Sequence, residues 1–126
     1  MPAMTERTDP GPFSRVDRIR SQREFRRVFR HCRRGCAGPI RAHVITRASQ
    51  PCRLGLSVSR KVGGAVARNT IKRHLRNAFR LCRHEWKEHI DVVLVVQHHP
   101  RSEADAYIRW LDQAVRNAMG WTDSDQ

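Results

Sequence analysis

Arg68, Lys72, Arg76 and Arg80 recur four residues apart within the segment Ala65–His84, with Arg83 closing the row and Asn69 and Arg73 beside it. On a helix that spacing stacks the cations along one face. Like charges at i, i+4 destabilise an isolated helix by ~0.2–0.5 kcal/mol per pair. An anionic partner is the simplest thing to offset that repulsion, and a solvated charged face is the alternative. Just upstream stands Ser59-Arg60-Lys61-Val62-Gly63-Gly64. Glycines let a backbone approach phosphates closely, and the helix that follows offers unpaired N–H groups and a positive dipole. Arg60 and Lys61 add two cations there. The spacing is not that of a P-loop.

Phe25 and Phe29 lie one helical turn apart among Arg23, Arg26, Arg27 and Arg30. Aromatics among arginines can stack unpaired bases, while the same spacing also serves a core. Histidine could do general acid–base chemistry at His74, His98 or His99, but nothing in the sequence brings two of them together. No Asp/Glu cluster suggests a protein-held Mg²⁺ pair. Cys32, Cys36, Cys52 and Cys82 lack zinc-knuckle spacing and read as buried or idle thiols. The sequence therefore assigns no catalytic side chain and no metal ligand.

The charge is segregated. The chain has 126 residues and a net charge of +13. From Phe13 to His84 there are 20 basic residues against two acids, and from Glu85 to Gln126 four basic against eight acidic. Such a field concentrates polyanions. Of the 25 cations 22 are arginine; the guanidinium fork matches phosphate oxygens, and an Arg-rich codon usage would give the same ratio. No apolar run is long enough to span a bilayer. Residues 1–14 read as a disordered leader without a signal core, 15–119 as one domain and 120–126 as a polar tail. A cytoplasmic protein without membrane attachment is expected.

The elements that position these groups can be read from pattern. Ser21-Gln22-Arg23-Glu24 is a capping box, followed by Phe25, Val28, Phe29 and Cys32 on one face; a helix is expected from about Gln22 to Arg33, ended by Gly35 and Gly38-Pro39. Ile40–Arg47 and Arg53–Ser59 read as strands that make an antiparallel hairpin. Ala67, Ile71, Leu75, Ala78, Phe79 and Cys82 form the apolar arc of the cationic helix. Asp91–Gln97 is an apolar run typical of a strand covered on both faces. A last helix starts near Pro100 and Ser102, with Asp105 completing a weaker capping box, and stops at Gly120. The order is α-β-β-α-β-α, a mixed sheet with helices against it.

The run from Leu54 to Arg80, with its Ser59-Arg60-Lys61-Val62-Gly63 turn and its Arg68-Asn69-Thr70-Ile71-Lys72-Arg73-His74-Leu75-Arg76 helix, resembles the signature of the bacterial ribonuclease P protein component. Glu24–Phe29 and Asp91–Val96 are similar to that family's first helix and later strand, so the likeness covers about residues 18–118. It implies an α+β single domain, an α-β-β-β-α-β-α sandwich similar to a ribosomal-protein domain, with a left-handed βαβ crossover. It places the additional strand boundary within residues 40–59.

The resemblance further implies a protein subunit that binds the catalytic RNA of ribonuclease P through Arg60, Lys61, Arg68, Asn69, Lys72, Arg73, Arg76 and Arg80. It assigns the 5′ leader of precursor tRNA to a cleft lined by Phe25 and Phe29 and a sheet position matched by Thr46. Endonucleolytic hydrolysis would belong to the RNA, with Mg²⁺ held by RNA and substrate, and the protein would be a monomer within the ribonucleoprotein. Three positions depart from the pattern. Thr70 removes one cation, His74 replaces an aliphatic residue and would loosen helix packing, and Thr46 stands where an aromatic is common. The rival readings are a structural RNA-binding protein of ribosomal type and a stand-alone nuclease using His74, His98 or His99.

Overall fold

A computed structural model describes residues 13–48 and 51–121. Residues 1–12 of the expected leader and 122–126 of the polar tail lie outside the described residues, while Phe13, also read as leader, packs edge-on against Phe79 at 5.8 Å. The elements are α1 (Gln22–His31), β1 (Arg33–Ala37), β2 (Ile40–Thr46), β3 (Arg53–Val58), α2 (Ala65–Cys82), β4 (Ile90–Val96) and α3 (Ala104–Met119). One-turn 3-10 helices at Arg15–Asp17, Arg60–Val62 and Arg83–Glu85 fill the connections. No helix among the described residues is long and apolar enough to cross a membrane.

The four strands form one sheet in the order β1-β2-β4-β3. β2 pairs antiparallel with β1 and β4, while β3 runs parallel to β4. Two expectations change. The additional strand is Arg33–Ala37, not a subdivision of residues 40–59, and it occupies the stretch read as the end of the first helix. β2 and β3 are not hairpin partners, because β4 lies between them. The hairpin is β1–β2, turned at Gly38, whose positive φ of 55 degrees is a conformation that glycine adopts without steric cost.

The sheet has two covered faces of unequal depth. Ile40, Ala42 and Val44 of β2, Leu54 and Val58 of β3, and Ile90, Val92, Leu94 and Val96 of β4 point toward α2 and α3, where they meet Leu75, Phe79, Leu111 and Val115 in the main core. On the opposite face α1 lays Val28 on Val93 and Ile19, with Phe25, Cys32 and Ile45 around them. β4 is therefore covered on both sides, as its unbroken apolar run requires.

Gly35 explains why β1 can exist without an apolar pattern. A Cβ there would sit 2.3 Å from the Ala118 backbone nitrogen, so the bare backbone lets the edge strand press against α3. At the other edge, Ile19 N–H donates to the Leu54 carbonyl at 2.9 Å and covers part of β3, which shields an otherwise unpaired strand.

The helix boundaries follow local chemistry. At the start of α1, Glu24 N–H donates to Ser21 Oγ at 3.1 Å and Ser21 N–H to Glu24 Oε1 at 3.5 Å, closing the expected capping box. The box expected at Ser102 does not form. Its hydroxyl donates to the Pro100 carbonyl at 2.9 Å, and α3 begins at Ala104. Gly120 ends α3 in the left-handed conformation, the usual glycine stop.

Candidate nucleic-acid interface

The apolar arc of α2 is buried at Ile71, Leu75, Ala78, Phe79 and Cys82. Ala67, expected to join it, is exposed. His74 does not loosen the packing: its ring stacks on Tyr107 of α3 at 5.2 Å.

The cations of α2 share one outward surface. Asn69 and Arg73 are exposed, and Arg68, Lys72, Arg76 and Arg80 are half-buried, their stems along the protein and their charged ends outward. Arg68, Lys72, Arg73 and Arg76 have no carboxylate partner among the described residues. The carboxylates nearby are committed elsewhere, Asp17 to Arg83 at 2.8 Å and Glu24 to Arg53 at 2.8 Å. Arg83 therefore leaves the row, which ends at Arg80, where Nη2 donates to Asn77 Oδ1 at 2.9 Å. Arg76 carries the electrostatic consequence. Desolvation, and then repulsion from Arg18, pull its pKa below the usual arginine value.

The loop before α2 presents Arg60 and Lys61, both exposed. Arg68 Nε donates to the Gly63 carbonyl at 3.1 Å and ties that loop to the helix. A Cβ at Gly64 would meet nothing within 4 Å, so the backbone is bare toward solvent. The N-terminus of α2 has no side-chain cap, which leaves its first-turn N–H groups for an external acceptor.

Phe25 and Phe29 stand on the flank of α1 that faces an uncovered strip of sheet. Phe25 lies over Gly55, where a Cβ would come within 2.7 Å of its ring. Phe29 is 43% exposed and meets His43 edge-on at 4.8 Å. The strand registers then place Ser57, Val95, Arg41 and Cys36 in one cross-strand row on the same face. Ser57, Arg41 and Cys36 are exposed and Val95 half-buried, so this row is the floor of an open cleft walled by Phe25 and Phe29. Phe25, Gly55, Leu56, Lys72 and Arg76 line one concavity, which joins the cleft to the α2 row.

Thr46 does not share this cleft. Its side chain has the parity of Val44 and so leaves the sheet on the face opposite α1, where its hydroxyl donates to Glu88 at 3.4 Å. Pattern reading missed Arg41, His43 and Ser57. Their alternation with buried neighbours is visible, but which face it serves is fixed only by the strand order.

Of the three candidate histidines the structure brings two together on one ring: His99 Nε2 lies 2.6 Å from the Tyr107 hydroxyl and His74 stacks on Tyr107, while His98 is exposed. Cys52 and Cys82 are buried, and burial pushes the Cys82 thiol up to about 12. Among the described residues no three His, Cys, Asp or Glu gather as metal ligands. The surface sets a row of cations beside a strip of sheet bordered by two aromatic rings.

Residues 13–120 match the family model described as Ribonuclease P. The chain belongs to the ribonuclease P protein family. It is 30% identical over 112 residues to the ribonuclease P protein component of Clostridioides difficile, covering 88% of this chain and 96% of that one. Among solved structures, a Staphylococcus aureus RNase P protein mutant with defective mRNA degradation activity superposes with a TM-score of 0.72 at 21% identity, covering 94% of both chains. The RNase P protein from Thermotoga maritima superposes with a TM-score of 0.67 at 24% identity, covering 75% of this chain and 90% of that one. These likenesses establish the mixed α+β fold.

Proposed function

We propose that this chain is the protein subunit of a ribonuclease P that removes the 5′ leader from precursor tRNA in the cytoplasm. The α2 row and its preceding loop bind the catalytic RNA, with Arg60, Lys61, Arg68, Asn69, Lys72, Arg73, Arg76 and Arg80 facing it. The Phe25/Phe29 cleft holds the single-stranded leader, with Arg41 available to a phosphate in the floor. Thr46 stands outside that path and is not carried into the proposal. The protein acts as a monomer in the ribonucleoprotein.

The observation that carries this reading is that Arg68, Lys72 and Arg76, without a carboxylate partner among the described residues, meet the Phe25-lined concavity at Lys72 and Arg76. One chain can thereby touch two RNAs and screen the repulsion between their backbones. Tighter substrate binding follows from that screening and from base stacking, worth ~1–3 kcal/mol per base.

The residues here do not fit a protein-held Mg²⁺. Asp17 and Glu24, the carboxylates bordering the row and the cleft, are each paired with a guanidinium. The proposal leaves hydrolysis to the RNA and any Mg²⁺ to the RNA and substrate. A precursor-tRNA cleavage assay tests the reading. Cleavage should require the catalytic RNA and be stimulated by the protein. Cutting by protein alone would indicate a nuclease, and no stimulation would indicate a structural RNA binder.

A further inference from the structure

A concavity lies on the far side of the α2 row from the Phe25 cleft. It measures about 740 Å³ and opens between the first half of α2, the residues after β4 and the start of α3. That volume is typical of pockets that enclose a small molecule. Val62, Val66, Ala67, Ile71 and Ala104 give it apolar walls, and Tyr107 lines it from below. Val66 is 81% exposed, an unusual position for a large aliphatic side chain beside a cationic surface.

Its polar groups are fixed in direction. His99 Nδ1 lies 2.8 Å from the Gln97 carbonyl oxygen. A carbonyl can only accept, so that nitrogen carries the proton. His99 Nε2 is then the acceptor for the Tyr107 hydroxyl at 2.6 Å. His74 stacks on the same Tyr107 ring, and Thr70 donates its hydroxyl to the Val66 carbonyl at 3.0 Å, leaving its oxygen able to accept. Apolar walls with the Thr70 and Tyr107 oxygens still able to accept suit an aromatic heterocycle.

The neighbours decide which heterocycle. Arg73 stands two turns beyond Val66 and about 20° round the helix from it, and Asn69 adjoins Thr70. Arg101 is on the opposite side. A nucleic-acid strand lying along Asn69 and Arg73 would thus pass over the mouth of the pocket, with phosphate-binding groups on both sides. We infer that the pocket between α2 and α3 receives one unpaired nucleobase of the RNA held by the α2 row. The inference rests on the docking of catalytic RNA proposed above and adds a base-reading site to a surface otherwise read as phosphate-binding.

The test uses the full chain and its ribonuclease P catalytic RNA. Dimethyl sulfate probing should show one unpaired adenine or cytosine that becomes protected when the wild-type protein binds. Ala67→Trp and Thr70→Trp fill the pocket from two positions on exposed surface, so at least one should keep its melting temperature. The folded variant should restore that base's reactivity and weaken binding about tenfold, within the range of one stacked base. Wild-type affinity together with an unchanged protection pattern in a folded Trp variant overturns the inference. The row variant Lys72→Met/Arg76→Met separates the two levels: if it binds the RNA with wild-type affinity and salt dependence, the docking itself fails.

Discussion

Replacing Lys72 and Arg76 by methionine should move stability and RNA binding in opposite directions. Both side chains are half-buried and line the concavity that also holds Phe25 and Leu56, and methionine preserves most of the apolar stem. The substitution relieves the Arg68–Lys72, Lys72–Arg76 and Arg76–Arg80 repulsions, together worth ~0.6–1.5 kcal/mol at the usual helical values. It also removes the repulsion between Arg76 and Arg18. The free protein should therefore melt a few degrees higher. Binding should weaken, because each lost phosphate contact lowers the log–log salt slope by ~0.7–0.9. Two contacts make ~1.4–1.8, so the affinity deficit should shrink roughly 7- to 12-fold between 50 and 200 mM salt. Filter binding across that range, with thermal unfolding of the free protein, measures both. A lower melting temperature with an unchanged salt slope would refute the reasoning, since it would make these residues structural.

Four further outcomes are expected. Phe29→Ala should weaken binding of leader-bearing tRNA by about 5- to 100-fold and spare mature tRNA, whereas equal losses would place Phe29 in the core. Gly35→Ala should cost about 3 kcal/mol in urea unfolding, because the new methyl meets α3 backbone that cannot rotate away. Asp91→Asn should cost about 3 kcal/mol by leaving Arg53 and Arg47 without their buried anion; a near-neutral result would show that the pair contributes little. Burial, and then the nearby Arg41 and Arg34, hold the His43 imidazole below its usual pKa of 6.5. The unfolded chain thus takes up the proton first, and stability should be intact above about pH 6.5 and fall below it. His43→Gln should flatten that part of the melting-temperature profile.

How much of this was readable from residues alone depends on the range of the interaction. The capping box of α1 and the apolar arc and charged row of α2 are local patterns within a few turns, and they appear as expected except at Ala67, which is exposed, and Arg83, which pairs with Asp17. β1 was hidden because an edge strand needs little apolar pattern, and Arg33-Arg34-Gly35-Cys36-Ala37 reads more like a helix end. Its place is set through Gly35 by α3, the last helix of the chain and remote from it in sequence. The hairpin misreading has a related cause. Alternation in Arg53–Val58 reveals a buried face and says nothing about which strand is its neighbour. The cleft floor of Ser57, Val95, Arg41 and Cys36 suffers doubly, because it needs three registers at once. Thr46 shows the same limit in reverse, since a strand position assigned by likeness can fall on the wrong face of the sheet.

The account stands most directly on a photocrosslinking comparison in the assembled ribonucleoprotein. A benzophenone amino acid at Asn69 should crosslink to the catalytic RNA, one at Phe29 to the leader, and one at the exposed Arg109 of α3 to neither. Crosslinking to the catalytic RNA from Arg109 but not from Asn69 would contradict the assignment of α2 as the docking face.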